Sequence, residues 1–519
     1  MKPSSRLYLF VLSFILLTYC QADKQTVDIL IVNGTILDGS GQDSYSADIG
    51  IIADTIAFIG NAIEIKLQGL ETIDASGYIV APGFIDPHTH TFSDLSHPER
   101  SANLNYLMQG VTTVITGNDG GGPVKIDSVL SSWEESGIGT NAALFVGHGT
   151  IRRLTMGRSD KKPDLEQLAT MKRYVSNAMD EGALGLSTGL YYAPGSFSET
   201  EEIIELARES SVKGGIYDSH IRDESSYNIG LLAAIEEVIN ISRSANIPAH
   251  ISHIKALGVD VWGKSAEVIK LIEEARSEGL MITADQYPYT ASGTSVRASL
   301  VPKWVFANDR EFWRKFDDPA LSSRIKIEME DNLRRRGGPS SLLVTVSKDS
   351  NIVGKTLEEI SKEWEVPVID VAMKIIKNGG ASVASFNMNQ DDIHQFMKQT
   401  WVMTGSDGSN GHPRKYGSFP KKIKEYVLEK GILTMAEFIR KSTSLTAETH
   451  KIARRGRLKK GYFADIIVFK PGEIKDNATF KEPRKLAEGI HYVLVNGKIA
   501  IANGNYTEIK AGIPIRRGE

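Results

Sequence analysis

Among the eleven histidines of this chain, two lie two residues apart in Ala81-Pro82-Gly83-Phe84-Ile85-Asp86-Pro87-His88-Thr89-His90. Phe84 and Ile85 read as the apolar part of a short buried strand. At strand period, residues i and i+2 share a face, so His88 and His90 converge on one point. Imidazole is the commonest metal ligand, and two on one strand end make half a zinc site. The bland alternative is a pair of ordinary histidines beside a turn at Pro87. Other polar residues that close apolar runs argue against it: Asp119 after Thr112-Thr113-Val114-Ile115-Thr116, His220, His253, and Asp407 after Trp401-Val402-Met403-Thr404. Histidines and carboxylates arriving from five separate strands are the expected donor set of a catalytic zinc site. His148 and His250 read instead as polar residues of the framework, the odd spacing turning His250 away from His253.

The elements that must position these residues alternate in kind. Eight strand candidates end near His90, Asp119, His148, Ser187, His220, His253, Asp285 and Asp407, and helix-length amphipathic segments such as 164–181, 199–213 and 265–278 follow most of them. Strands alternating with helices predict a parallel sheet, and eight such units predict an α/β fold of the (β/α)8 TIM-barrel type. In such a barrel, chemistry sits at the C-terminal strand ends, where these polar residues fall. More than a hundred residues separate Asp285 from Trp401, too many for a simple loop. They predict an insertion after strand 7, about 296–395, able to cover the barrel mouth. Short apolar strands with Gly and Asn punctuation mark both ends of the chain, with Asn33-Gly34 read as a turn after the first strand. The domain expectation is a small β-sandwich from 24–82 plus 455–519, with the barrel, 83–454, set between its halves.

The chain is long enough for more than one domain, and 60 basic against 64 acidic residues give a net charge of −4 with no basic block, which speaks against a nucleic-acid partner. Residues 1–22 have the order of an export signal: Lys2 and Arg6, an apolar run from Leu7 to Leu17, then Thr18-Tyr19-Cys20-Gln21-Ala22. The expectation is an exported protein, periplasmic or on the outer surface. Cys20, the single cysteine, excludes an intrachain disulfide and stands where a lipoprotein signal would be lipidated. Its lipid anchor would be the sole membrane attachment; cleavage after Ala22 is the alternative.

The motifs in order resemble the amidohydrolase superfamily, and within it the D-aminoacylase (N-acyl-D-amino-acid deacylase) family. The resemblance runs from about residue 25 to 510. It rests on Pro82 to His90, Gly110-Val111-Thr112-Thr113-Val114, Gly147-His148-Gly149-Thr150-Ile151-Arg152, and Gly182 to Leu190. It continues through Ser219-His220-Ile221-Arg222-Asp223-Glu224, Ser252-His253-Ile254-Lys255, Asp285-Gln286-Tyr287-Pro288-Tyr289, Gly405-Ser406-Asp407-Gly408 and His412-Pro413-Arg414. It implies a small-molecule N-acyl amino acid as substrate and one or two Zn2+ ions held by His88, His90, Asp119, His220, His253 and Asp407. Asp407 would be the catalytic acid–base, and Lys255, Tyr287 and Arg414 would contact the substrate, with Tyr289 an alternative to Tyr287.

One position departs from the family, which commonly carries a cysteine after Gly-Asn at the end of strand two. Here Gly117-Asn118 precedes Asp119. A carboxylate oxygen is a harder donor than a thiolate and is expected to hold zinc less tightly. A dipeptidase or a dihydroorotase-like ring-opening enzyme uses the same scaffold, and a surface binding protein that had lost catalysis could keep the histidines. The intact Ser406-Asp407-Gly408 speaks against the last, because binding alone does not need the acid–base.

Overall fold

The computed structural model describes residues 25–306 and 309–519. The leader-like residues 1–22, Cys20 included, lie outside the described residues. Among the described residues no helix is long and apolar enough to cross a membrane.

Eight parallel strands close a barrel in chain order: β1 (Phe84–Thr89), β2 (Val111–Thr116), β3 (Asn141–Leu144, continued by Val146–Gly147), β4 (Gly185–Gly189), β5 (Ile216–His220), β6 (Ala249–Ile251), β7 (Ile282–Gln286) and β8 (Val402–Thr404). The seam between β8 and β1 is closed just beyond the strand ends, by a parallel bridge from Thr89 to Gly408 and by the Asp407 N–H donating to His88 O at 2.9 Å. These strands are short and buried on both faces, as strands covered by helices must be. Ile85, Ile115, Phe145, Leu184 and Ile216 pack with Ile452 and Ile515 into an apolar floor. A second, polar tier is also buried: Asp86 accepts from Ser406 N at 3.0 Å, Asp218 from Ser252 Oγ at 3.0 Å, and His250 meets Asp285 at 3.1 Å.

Both chain ends build one nine-stranded sheet. Ile79–Pro82 pairs antiparallel with Ile466–Phe469, joining the first eighty residues to the last fifty. Ile31, Ile49, Ile51, Val80, Ile466 and Leu494 from the two ends share one core. The two Asn-Gly pairs behave differently. Asn496 (φ 48°) and Gly497 (φ 73°) are both left-handed and turn Ile490–Val495 into Lys498–Ala502, the geometry a two-residue hairpin needs. Asn33 (φ 61°) is instead a bulge: the strand runs on from Thr26 to Ile36, with a register shift between Ile31 and Gly34. The turn read at Asn33-Gly34 is corrected accordingly.

The segment after β7 carries its own three-stranded antiparallel sheet, Ala291–Ser295, Ala381–Phe386 and Leu342–Ser347, with 381–386 in the middle. Helices Val296–Leu300, Asp309–Phe316, Pro319–Arg335, Leu357–Trp364 and Val368–Lys377 pack on it around Phe316, Met329, Leu342 and Val383. It is tied to the barrel at the loop after β6: Gly258 N donates to Asn387 O at 2.7 Å and Val259 N to Arg335 O at 3.0 Å. That anchorage sets its residue Arg336 against the barrel mouth.

Candidate metal centre

The C-terminal rim gathers every ligand candidate. His90 Nε2 lies 3.0 Å from Asp407 Oδ1 and 3.4 Å from Asp119 Oδ2, and His88 Nε2 lies 3.5 Å from Asp119 Oδ1. On the other side, His220 Nδ1 and His253 Nε2 each stand 3.6 Å from Asp119 Oδ1. Two clusters result, His88–His90–Asp119–Asp407 and Asp119–His220–His253, with Asp119 common to both. His148 and His250 are outside them. His148 meets Glu202 at 2.8 Å, and His250 bonds Thr283 Oγ1 and Asp285.

The residues fit a metal. Both ring nitrogens of His88, both of His220 and Asp119 Oδ1 are buried with no hydrogen-bond partner among the described residues. Leaving so many buried polar atoms unmade is costly unless something bonds them, and imidazoles and carboxylates at these separations surround positions suited to a divalent cation. The backbone is also held out of its preferred region here. Asp119 (φ 56°), His253 (φ 38°) and Asp407 (φ 46°) are all left-handed, a cost tolerated where surrounding structure fixes a functional geometry. Gly189 makes room for the first: a Cβ there would lie 2.3 Å from Asp119 O.

Charged residues brace the ligands. Burial works against ionisation of Asp407, but the Arg414 guanidinium, with Nη1 at 2.8 Å, holds its carboxyl far below the usual range. Asp119 is likewise held low against its burial by the surrounding imidazoles. Two bracing acids were not singled out in the sequence. Glu224 bonds Lys255 Nζ and reaches His253 Nδ1 at 3.2 Å, and burial is again outweighed, here first by Lys255. Asp285 accepts from His253 N at 2.9 Å and faces His88 Nδ1 at 3.7 Å, the usual carboxylate–histidine support. Gly405 admits it, since a Cβ there would fall 2.2 Å from Asp285 Oδ2. Glu224 sits four residues after His220, and that spacing from a ligand was one signal.

A cavity of about 270 Å³ opens over the rim. Lys255, Tyr287 and Arg414 all line it, with Arg336 from the insertion. Tyr287 and Tyr289 both bury a hydroxyl without a hydrogen-bond partner among the described residues, but of the two Tyr287 lines the cavity, and Tyr289 packs on His412 and Phe480. Lys255 and Arg414 are not free cations: one is paired with Glu224, the other with Asp407 and with Ser409 Oγ at 3.0 Å.

The model of the amidohydrolase family matches residues 71–327 and 386–501. The chain belongs to that family. This amidohydrolase is 32% identical to a D-aminoacylase of Alcaligenes xylosoxydans xylosoxydans, over 96% of its own length and 99% of the relative's. Its fold matches a solved D-aminoacylase whose binuclear metal centre has been studied, at a TM-score of 0.81 and 29% identity, covering 95% of this chain and all of that one. It also matches the N-acyl-D-glutamate deacylase of Bordetella bronchiseptica, solved with zinc and a phosphonate inhibitor, at a TM-score of 0.79 and 28% identity over the same shares.

Proposed function

We propose that this amidohydrolase is a zinc-dependent deacylase that hydrolyses the amide bond of N-acyl-D-amino acids, giving a carboxylate and a free D-amino acid. The observation that carries the reading is the position of Asp407. It belongs to the first ligand cluster, is paired with buried Arg414, and faces a cavity that Lys255 and Tyr287 also line. Full-length similarity to D-aminoacylases, and a zinc complex among the similar structures, support this choice of substrate and of one or two zinc ions.

His88, His90, Asp119 and Asp407 would hold one ion, and Asp119, His220 and His253 a second. A cation bound there lowers the pKa of water to about 7 and polarises a scissile carbonyl. Asp407 accepts a proton from the attacking water and returns it to the amide nitrogen, so that the amine leaves neutral. Arg414 serves this step by keeping the carboxylate ionised before it accepts. Lys255, Tyr287 and Arg414 bind the substrate carboxylate, the tyrosine with its unpaired hydroxyl and the cations with the donors their carboxylate partners leave free. Leader-like residues 1–22 support export as part of the same reading, with Cys20 as the anchoring position. Cell fractionation of the wild type and of Cys20→Ser tests that part.

A dipeptidase or cyclic-amide hydrolase is the weaker reading, because a short aspartate, not a modified lysine, stands between the two clusters. Purified protein loaded with zinc is to be incubated with paired N-acetyl-D- and N-acetyl-L-amino acids, and the free amine measured. The D series is expected to be hydrolysed in preference to the L series, and a chelator to stop it. Dihydroorotate or a dipeptide turned over faster than every N-acyl-D-amino acid would replace the reading.

A further inference from the structure

Behind the metal cavity lies a larger chamber of about 760 Å³, between the 191–197 loop after β4 and the insertion. Tyr191, Tyr192 and Tyr227 line both spaces, so the two adjoin at these tyrosines, here called the throat. Neither the metal ligands nor Asp407 reach the chamber. Phe197, Val301, Pro302, Trp304, Phe306 and Ile327 give it apolar walls. Several of its polar side chains are paired: Trp304 Nε1 donates to Glu328 at 2.9 Å, Asn332 Nδ2 to Leu300 O at 2.9 Å, and Arg335 pairs with Asp331 at 2.6 Å. Ring faces and aliphatic carbons make up much of its wall, which reaches the surface at Ile327, 65% exposed.

We propose that this chamber binds the acyl chain of the substrate, and that the chain it takes is a long aliphatic one. The inference rests on the deacylase reading and extends it to the substrate's other half. Its direction follows from the order of residues across the rim. Arg414 flanks Asp407, Asp407 neighbours Asp119 through His90, Asp119 faces His220, and the rings of Tyr192 and Tyr191 pack at 4.8 and 5.7 Å from the His220 ring. In an N-acyl amino acid the α-carboxylate and the acyl substituent leave the scissile carbonyl in opposite directions. With the carboxylate at Arg414 and the carbonyl over the ligands, the acyl chain runs past His220 to the tyrosines. An acetyl group ends within the metal cavity. A chain of eight to ten carbons, each rising by about 1.3 Å, passes the throat and exchanges water for the apolar walls. Lys303 braces the throat, its ammonium 3.8 Å from the Tyr191 ring centroid with no hydrogen-bond partner among the described residues.

The test uses zinc-loaded protein and N-acyl-D-amino acids of one side chain, with acyl groups from acetyl to decanoyl. Burying a methylene contributes at most about a fourfold gain in kcat/KM, so a rise of a hundredfold or more from acetyl to decanoyl is expected. Ala298→Trp, which fills the chamber from the insertion helix, and Ile327→Trp, from its far wall, are expected to cut the decanoyl-to-acetyl ratio at least tenfold. A parallel readout needs no turnover: decanoate is expected to bind the wild type in calorimetry far more tightly than acetate does, and both tryptophan variants to lose that difference. Hydrolysis of acetyl substrates with no dependence on chain length overturns the chamber assignment and leaves the deacylase reading standing. No hydrolysis of any member, with decanoate still bound and displaced by the variants, keeps the chamber as an acyl site and removes the deacylase reading. If the variants instead change selectivity among side chains at constant acetyl, the chamber belongs to the side chain and the proposal is wrong.

Discussion

The half of the rim that holds His88, His90 and Asp407 differs from the half that holds His220 and His253 in charge and in bracing. The first has a carboxylate of its own, kept ionised by Arg414, and its His90 side chain is 39% exposed toward the cavity. The second has two buried imidazoles, and its own carboxylate, Glu224, stands with Lys255 behind them and outside the ligand cluster. The one anionic ligand available to it is Asp119, which it shares. On the proposed reading, proton chemistry belongs to the first half, and the second holds a cation well only while Asp119 serves both.

Changes on the two sides should separate these roles. The largest effect is expected from Asp407→Asn, which keeps size but cannot carry a proton. Loss of general acid–base catalysis should lower kcat by roughly 10²–10⁴-fold or more, with a smaller change in KM; a near-wild-type kcat would make Asp407 structural. His88→Ala and His253→Ala are each expected to lose bound zinc and activity while circular dichroism stays unchanged, since rim residues are not part of the apolar floor. Unchanged metal content in both would remove the ligand assignment. A smaller loss is expected from Glu224→Gln, which leaves all ligands in place but removes the charge behind His253. Outer partners of this kind are typically worth about 10–100-fold in metal affinity or activity, and the loss should track the affinity of the second half, read in a zinc titration.

The smallest effect lies below the rim. His450 is buried beside His250, and burial first, then His250, lowers its pKa to about 3. In the unfolded chain it titrates near 6.5. Above about 6.5 it is neutral in both states. Between about 6.5 and 3 only the unfolded chain takes the proton, so stability falls as pH falls, by about 1.4 kcal/mol per pH unit from this group. His450→Gln should flatten that slope in urea melts at pH 7 and 4.5, with activity at pH 7 little changed.

The rim was legible because each ligand candidate closes a short apolar run, and a barrel brings all such closing residues to one end. Lys255, Tyr287 and Arg414 followed from motif resemblance; all three line the cavity, and Tyr289 is not in its lining. What was not legible depends on backbone shape and on through-space pairing. Asp119-Gly120 is a dipeptide that accepts left-handed backbone, and both residues adopt it (φ 56° and 70°), a signal that a strand-end reading passes over; the Asn33-Gly34 pair looked like its hairpin-forming counterpart at Asn496-Gly497. Glu224 and Asp285 stand inside matching motifs, and Asp285 also closes a strand; their distances to His253 and His88 are what give them a task. Arg414 looked like a free anion binder and is already half committed to Asp407. The chamber needs the insertion folded against the 191–197 loop, a contact no local pattern encodes.

The account turns on one carboxylate joining two half-sites, and zinc bound per chain in wild type, Asp119→Ala and Asp119→Cys tests it most directly. Metal analysis after dialysis against graded free zinc is expected to show Asp119→Ala weakened in both halves at once. Asp119→Cys should hold zinc as well as the wild type or more tightly, since thiolate suits zinc better than carboxylate. Asp119→Ala binding zinc with wild-type stoichiometry and affinity would contradict it.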